Sequence, residues 1–262
     1  MDVQRNERNS YGVLILHGFT ATLDSVAALR GPLRELGIPV SMPLLAGHGA
    51  SSPEALRGVG WDAWMEDADK ALQQLMHEAE RVIVIGHSMG ALLSMNLAIR
   101  YQDKIDALIL AAPAIKLVSV FAPGRPLHFA APFVSRIIRN WGLHTLYSGP
   151  QSVTSIPHYT WVPTDAILSC FELIKHSRPL LGLVTVPLLI LHCRQEKTVL
   201  PESATIVYNS VATEPSAKSI TWLEYSGHQM FCDCEKEKAI QTIIDYVSDR
   251  IGRNRENGDT GY

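Results

Sequence analysis

Short apolar runs alternate with longer amphipathic segments along this chain. Six runs, near residues 11–16, 40–42, 82–85, 107–111, 188–192 and 219–223, have strand length and predict β-strands. Segments near 25–36, 61–78, 89–101, 202–210 and 235–250 place large apolar residues at helical spacing, and 164–178 reads the same way. Runs that are apolar throughout belong inside a sheet covered on both faces, so the pattern predicts an α/β fold with a mostly parallel central sheet and helices on either side.

From residue 113 to 163 the alternation stops. This stretch holds seven prolines, seven aromatic residues and four basic residues but no acidic one, which no regular βα unit would show. It carries more apolar surface than a linker and is expected to form a small cap over the sheet. Phe121, Phe129, Phe133, Ile137, Ile138 and Trp141 are expected to face a bound apolar ligand from it. The expected organisation is a core of residues 1–112 and 164–251, a cap of 113–163, and a polar tail of 252–262 without order.

Composition narrows the function classes. At 262 residues the chain fits one domain with an insertion, and 47% hydrophobic residues argue for a substantial core. A net charge of −3 with 19% charged residues gives no surface suited to nucleic acid. The first nine residues are polar and no uninterrupted apolar stretch nears the ~18 residues of a span, so no stable membrane insertion and a cytoplasmic location are expected. Cys170, Cys193, Cys232 and Cys234 lack paired C-x-x-C spacing and read as reduced thiols, and no metal site is visible. Nothing in the sequence points to an oligomeric state.

One motif carries chemistry. Gly86-His87-Ser88-Met89-Gly90 follows the apolar run 81–85 and opens onto a helical segment, which is the layout of a nucleophile elbow. A serine hydroxyl needs a base to take its proton and amide N–H groups to hold an oxyanion. On such a sheet the parts follow in the order Ser, acid, His. His228, after a strand and a Ser226-Gly227 turn, is the candidate base. Glu196 is the carboxylate available in the loop behind the 188–192 run and is the candidate acid. His17, His48 and His87 sit in glycine-adjacent turns, and His192 ends a strand; all four read as structural. Met89 N–H and Phe19 N–H, the latter in the turn after the first strong strand, are the candidate oxyanion donors.

These residues resemble the α/β-hydrolase superfamily, and within it the bacterial carboxylesterase and monoacylglycerol-lipase group. The likeness rests on His17-Gly18-Phe19, the segment 43–49, Trp61 to Asp69, Gly86 to Gly90, the segment 186–192 and Ser226-Gly227-His228, and it spans nearly all the chain outside the cap. It implies ester hydrolysis through an acyl-enzyme on Ser88, a small-molecule acyl ester as partner, no metal or organic cofactor, and a cap that sets acyl specificity. Glu196 departs from the group, which usually places Asp there. Two other readings of the same residues stay open: a hydrolase-fold protein that binds a small apolar ligand with weak turnover, and a thioesterase or perhydrolase on the same triad.

Overall fold

The computed structural model describes residues 8–143 and 159–258. Six strands form the central sheet: β1 (Asn9–Leu16), β2 (Val40–Ser41), β3 (Ala79–His87), β4 (Ile105–Ala111), β7 (Leu188–Cys193) and β8 (Lys218–Leu223). Their order is β2-β1-β3-β4-β7-β8, and every pairing in it is parallel. The helices are α1 (Arg30–Glu35), α2 (Trp61–Glu78), α3 (Met89–Arg100), α4 (Ala131–Ile137), α5 (Thr164–Ser177), α6 (Glu202–Ser210) and α7 (Lys236–Gly258).

Continuous apolar runs feed two cores because successive side chains leave a strand on opposite faces. Val82 and Val84 join Leu14, Leu108 and Ile190 on the face covered by α2, α3 and α5. Ile83 and Ile85 join Ile15, Ile109 and Leu189 on the face covered by α7. The expected helix over 25–36 is broken into two 3₁₀ turns and the short α1. Pro32 has no N–H to give to the preceding turn and is tolerated only in a first turn, so the α-helix begins at Arg30. The tail also departs from expectation. The backbone of residues 252–258 continues α7, since Arg and Glu are good helix formers and no proline intervenes; residues 259–262 lie outside those described.

Between β4 and α5 the chain forms α4 and a two-stranded antiparallel ribbon, β5 (Asn140–Gly142) with β6 (Trp161–Pro163). Residues 144–158, within the expected cap, lie outside those described. No described helix is long and apolar enough to cross a membrane.

Strand order reverses between β1 and β3, because the chain runs outward from β1 to β2 and then returns to build the rest of the sheet from β3. The carboxyl ends of those two strands therefore open a crevice, the usual ligand position in such sheets. Gly86 and Gly90 permit the turn there. A methyl group at Gly86 would overlap the carbonyl of Gly90 and Ser94 Oγ, and one at Gly90 would overlap the carbonyls of Leu16 and His17. Gly90→Ala is thus expected to cost more than about 3 kcal/mol, among the larger single-site losses. Gly31→Ala, in a helix with open space around it, is expected to be neutral or to stabilise by up to ~1 kcal/mol. Thermal unfolding of the two variants checks both, and equal melting temperatures would contradict the packing argument.

Candidate active site

Ser88 caps α3 directly after β3, with φ 56° and ψ −114°. A non-glycine residue at positive φ is held against its preference by its surroundings, at a cost of ~1–3 kcal/mol. Ser88 N–H donates to the Ala111 carbonyl at 2.8 Å, and the Ser88 carbonyl accepts from Ala91 and Ala114. The turn is thus tied to α3 and to the end of β4, which aims the Ser88 side chain out of the sheet.

The structure brings Ser88, His228 and Glu196 together. His228 Nε2 lies 3.0 Å from Ser88 Oγ, and His228 Nδ1 lies 2.8 Å from Glu196 Oε2. A carboxylate only accepts, so Nδ1 carries the ring proton and Nε2 offers its lone pair to the serine hydroxyl. The other carboxylate oxygen, Oε1, accepts from the amides of Thr198 at 2.7 Å and Val199 at 3.2 Å. Burial alone would push this carboxyl up, but the facing His228 ring and the two amides outweigh it and hold it down at about 2.

The loop that carries His228 is clamped by residues that the sequence did not single out. Asp233 Oδ2 accepts from Gly227 N–H, and Glu235 Oε2 accepts from the amides of Tyr225 and Ser226. The Cys193 thiol donates to the Gly227 carbonyl at 3.0 Å, which joins β7 to this loop. His87 Nε2–H donates to the His228 carbonyl at 2.9 Å. Each contact bridges positions far apart or uses a common residue type, so no local signal announces it. In the sequence alone His87 and His17 read only as turn residues.

The peptide between Gly18 and Phe19 is fixed from its carbonyl side. His17 Nε2 accepts from Leu45 N–H, which leaves the ring proton on Nδ1, and Nδ1–H donates to the Gly18 carbonyl at 2.9 Å. Ala21 N–H donates to the same oxygen. The N–H of that trans peptide belongs to Phe19 and points the opposite way. Gly18 lies close to Ser88, since a methyl group on it would come within 3.1 Å of Ser88 Cβ. Met89 N–H stands at the N-terminus of α3, where no intrahelical acceptor exists and the helix dipole favours negative charge. Met89 N–H therefore stands directly beside the serine, and the Gly18–Phe19 peptide lies close by.

Burial lowers the basicity of the neighbouring histidines. His48 and His87 are brought down to about 3, chiefly by desolvation, and His17 and His192 are lowered by the same cause. All four stay neutral at physiological pH. Among the described residues no group of three His, Cys, Asp or Glu is placed to hold a metal ion.

Beside this constellation lies an apolar cavity of about 220 Å³, with Phe19 in its wall together with Leu117, Phe121, Trp141, Leu168 and Phe171. Of the six cap residues expected to face a ligand, Phe121 and Trp141 line this cavity. Phe129, Phe133, Ile137 and Ile138 are not in the wall, and the first three are 72%, 63% and 84% exposed. The inner face of α4 presents Ala131, Val134 and Ser135 instead. A cavity needs small residues on the helix that roofs it, and placing these three inward turns the bulky stripe outward.

Comparison with known proteins agrees with this architecture. Residues 8–235 match the family model described as serine aminopeptidase, S33 (Hydrolase_4). A carboxylesterase of Bacillus subtilis (strain 168) is 27% identical over 236 residues, covering 90% of this chain and 91% of that protein. A thermostable monoacylglycerol lipase of Bacillus sp. (strain H-257) is 24% identical over 249 residues, covering 94% of each. Among solved structures, one described under two metagenome-derived lipolytic enzymes, LipS and LipT, superposes with a TM-score of 0.83 at 23% identity, covering 92% of this chain and 95% of that one. A soluble variant of monoglyceride lipase from Saccharomyces cerevisiae gives 0.75 at 15% identity, covering 95% and 89%. With its parallel sheet, its serine at the β3–α3 turn and a family match over most of its length, the chain belongs to the Hydrolase_4 (serine aminopeptidase, S33) family of the α/β-hydrolase superfamily.

Proposed function

We propose that this protein hydrolyses carboxylic esters carrying one short-to-medium acyl chain, monoacylglycerols included, through an acyl-enzyme on Ser88. The observation that carries this reading is the unbroken hydrogen-bond chain from Glu196 through His228 to Ser88, set beside an apolar cavity. The carboxylesterase and monoacylglycerol-lipase relatives support the same reaction class.

In the first half-reaction His228 Nε2 takes the hydroxyl proton as Ser88 Oγ attacks the acyl carbon. The carbonyl oxygen becomes an oxyanion between Met89 N–H and Phe19 N–H, where one such donor is commonly worth ~10²–10³ in rate. The imidazolium, stabilised by Glu196, returns the proton to the leaving alcohol. Water then repeats the sequence on the acyl-enzyme and releases the acid. Esters are favoured over peptides with a free amino terminus because, among the described residues, the cavity wall holds no carboxylate to receive an ammonium group.

Glu196 is built into its loop through two amides, so shortening it moves the carboxylate away from His228 by one carbon. Glu196→Asp is expected to lower kcat by about 10- to 10²-fold, the scale of an ångström misplacement. Glu196→Gln is expected to lower it by about 10³- to 10⁴-fold with an unchanged circular-dichroism spectrum, because an amide neither stabilises imidazolium nor enforces the tautomer. An Asp variant as fast as the wild type would show that the loop does not depend on the longer side chain.

The pH dependence follows from the same charges. Glu196 stays ionised down to about pH 2 and His48 and His87 stay neutral down to about pH 3, so none of the three adds an ionisation to the acidic limb of kcat/KM, which is left to the general base. Activity should rise with pH on this limb with a logarithmic slope of one. A slope of two, or an activity that does not fall on acidification, would contradict a single histidine base.

Chain length is set by the cavity. Each methylene adds up to ~0.8 kcal/mol of binding until the space is filled. At about 220 Å³ the cavity is smaller than the ~300–1,000 Å³ of drug-sized sites, and an optimum near six to twelve carbons is expected. A p-nitrophenyl ester series run beside mono-, di- and triacylglycerols and an aminoacyl p-nitroanilide tests this. Rates that fall steadily from acetyl, triacylglycerol turnover equal to that of the monoacyl ester, or preferred cleavage of the anilide would each overturn the proposal.

A further inference from the structure

Among the described residues, eight of the eleven exposed large hydrophobic side chains lie between Val118 and Trp141. Three of them, Phe129, Phe133 and Ile137, recur every fourth residue and form one stripe across α4 and the 3₁₀ turn (His128–Ala130) that leads into it. Ala131, Val134 and Ser135 form the opposite stripe, which walls the cavity. A helix apolar on both faces is at home only when both are covered, and here one faces water.

We propose that this outer face docks on a lipid surface bearing anionic headgroups. Arg136 and Arg139 stand exposed beside the stripe, and the Arg136 guanidinium lies 5.7 Å over the Phe133 ring. The stretch 113–163 holds four basic residues and no acidic one, in a chain of net charge −3. An apolar centre edged by guanidinium groups suits acyl chains below and phosphates above. A second copy of the chain is a poorer occupant, because it would set Arg136 and Arg139 against their own copies with one carboxylate, Asp165, in the surface pocket they share. A soluble polyanion would leave the phenylalanines and the isoleucine in water. Trp141, a residue type that favours the headgroup level, is partly exposed and also lines the cavity, so the docked surface and the cavity share a wall.

Vesicle flotation tests the proposal without any turnover, so it stands or falls apart from ester hydrolysis. The wild-type protein is floated with phosphatidylcholine vesicles and with vesicles containing about a third phosphatidylglycerol. Binding is expected to the anionic vesicles and to weaken as salt rises from roughly 0.1 to 0.5 M. The pair Phe133→Ser and Ile137→Ser should weaken it by more than about tenfold. The pair Arg136→Gln and Arg139→Gln should weaken it by on the order of 20-fold, about fivefold for each cation. Both pairs should keep the wild-type melting temperature, since these side chains are exposed. No flotation, equal binding to neutral and anionic vesicles, or full binding by either pair would overturn the proposal. So would a dimer, seen by light scattering, that Phe133→Ser dissolves, since the face would then belong to a second copy.

Discussion

The site depends on the backbone of one residue. Ser88 holds a positive φ that most side chains avoid, and it does so because Gly86 lets the end of β3 meet α3, and Gly90 lets α3 meet the end of β1, closer than any Cβ would allow. From that turn follow the outward aim of the serine hydroxyl, the position of Met89 N–H at the helix start, and the nearness of Gly18 to Ser88. The strain is small beside the packing that enforces it, since β3 lies between β1 and β4 and is buried over most of its length.

Around this point the chain places groups that settle where protons sit. Leu45 N–H fixes the tautomer of His17, His17 fixes the Gly18–Phe19 peptide, and Glu196 fixes the tautomer of His228. Burial keeps the surrounding imidazoles neutral, so the imidazole of His228 stands among rings that carry no competing charge. Low sequence identity to the relatives is compatible with this, because most of these contacts are made by backbone amides and carbonyls, which constrain side chains only at a few positions. The longer side chain of Glu196 is held by the turn of Thr198 and Val199 around its carboxylate.

Much of this was legible in the sequence where the cause is local. Apolar runs marked the strands, and a glycine-flanked serine between strand and helix marked the elbow. Chain order then pointed to His228 and Glu196. The remainder depends on distant partners. Asp233 and Glu235 are ordinary acidic residues until the fold puts them against the amides of residues 225–227. His87 and His228 are brought together only by the sheet. Pro32 shortened an expected helix, and backbone continuity lengthened the last one. The cap misled for a different reason. The sequence there shows no regular alternation and does not announce α4, and on that helix the larger side chains are the wrong choice for the inward face where the interior is a cavity.

Reaction with a fluorophosphonate, read by intact mass and peptide mapping, tests the central claim most directly, because phosphonylation requires both a serine activated by its histidine and a working oxyanion site. The account predicts one adduct per chain, on Ser88, absent in Ser88→Ala and slowed by orders of magnitude in His228→Ala. An unlabelled wild-type protein, or an adduct that persists in Ser88→Ala, would contradict it.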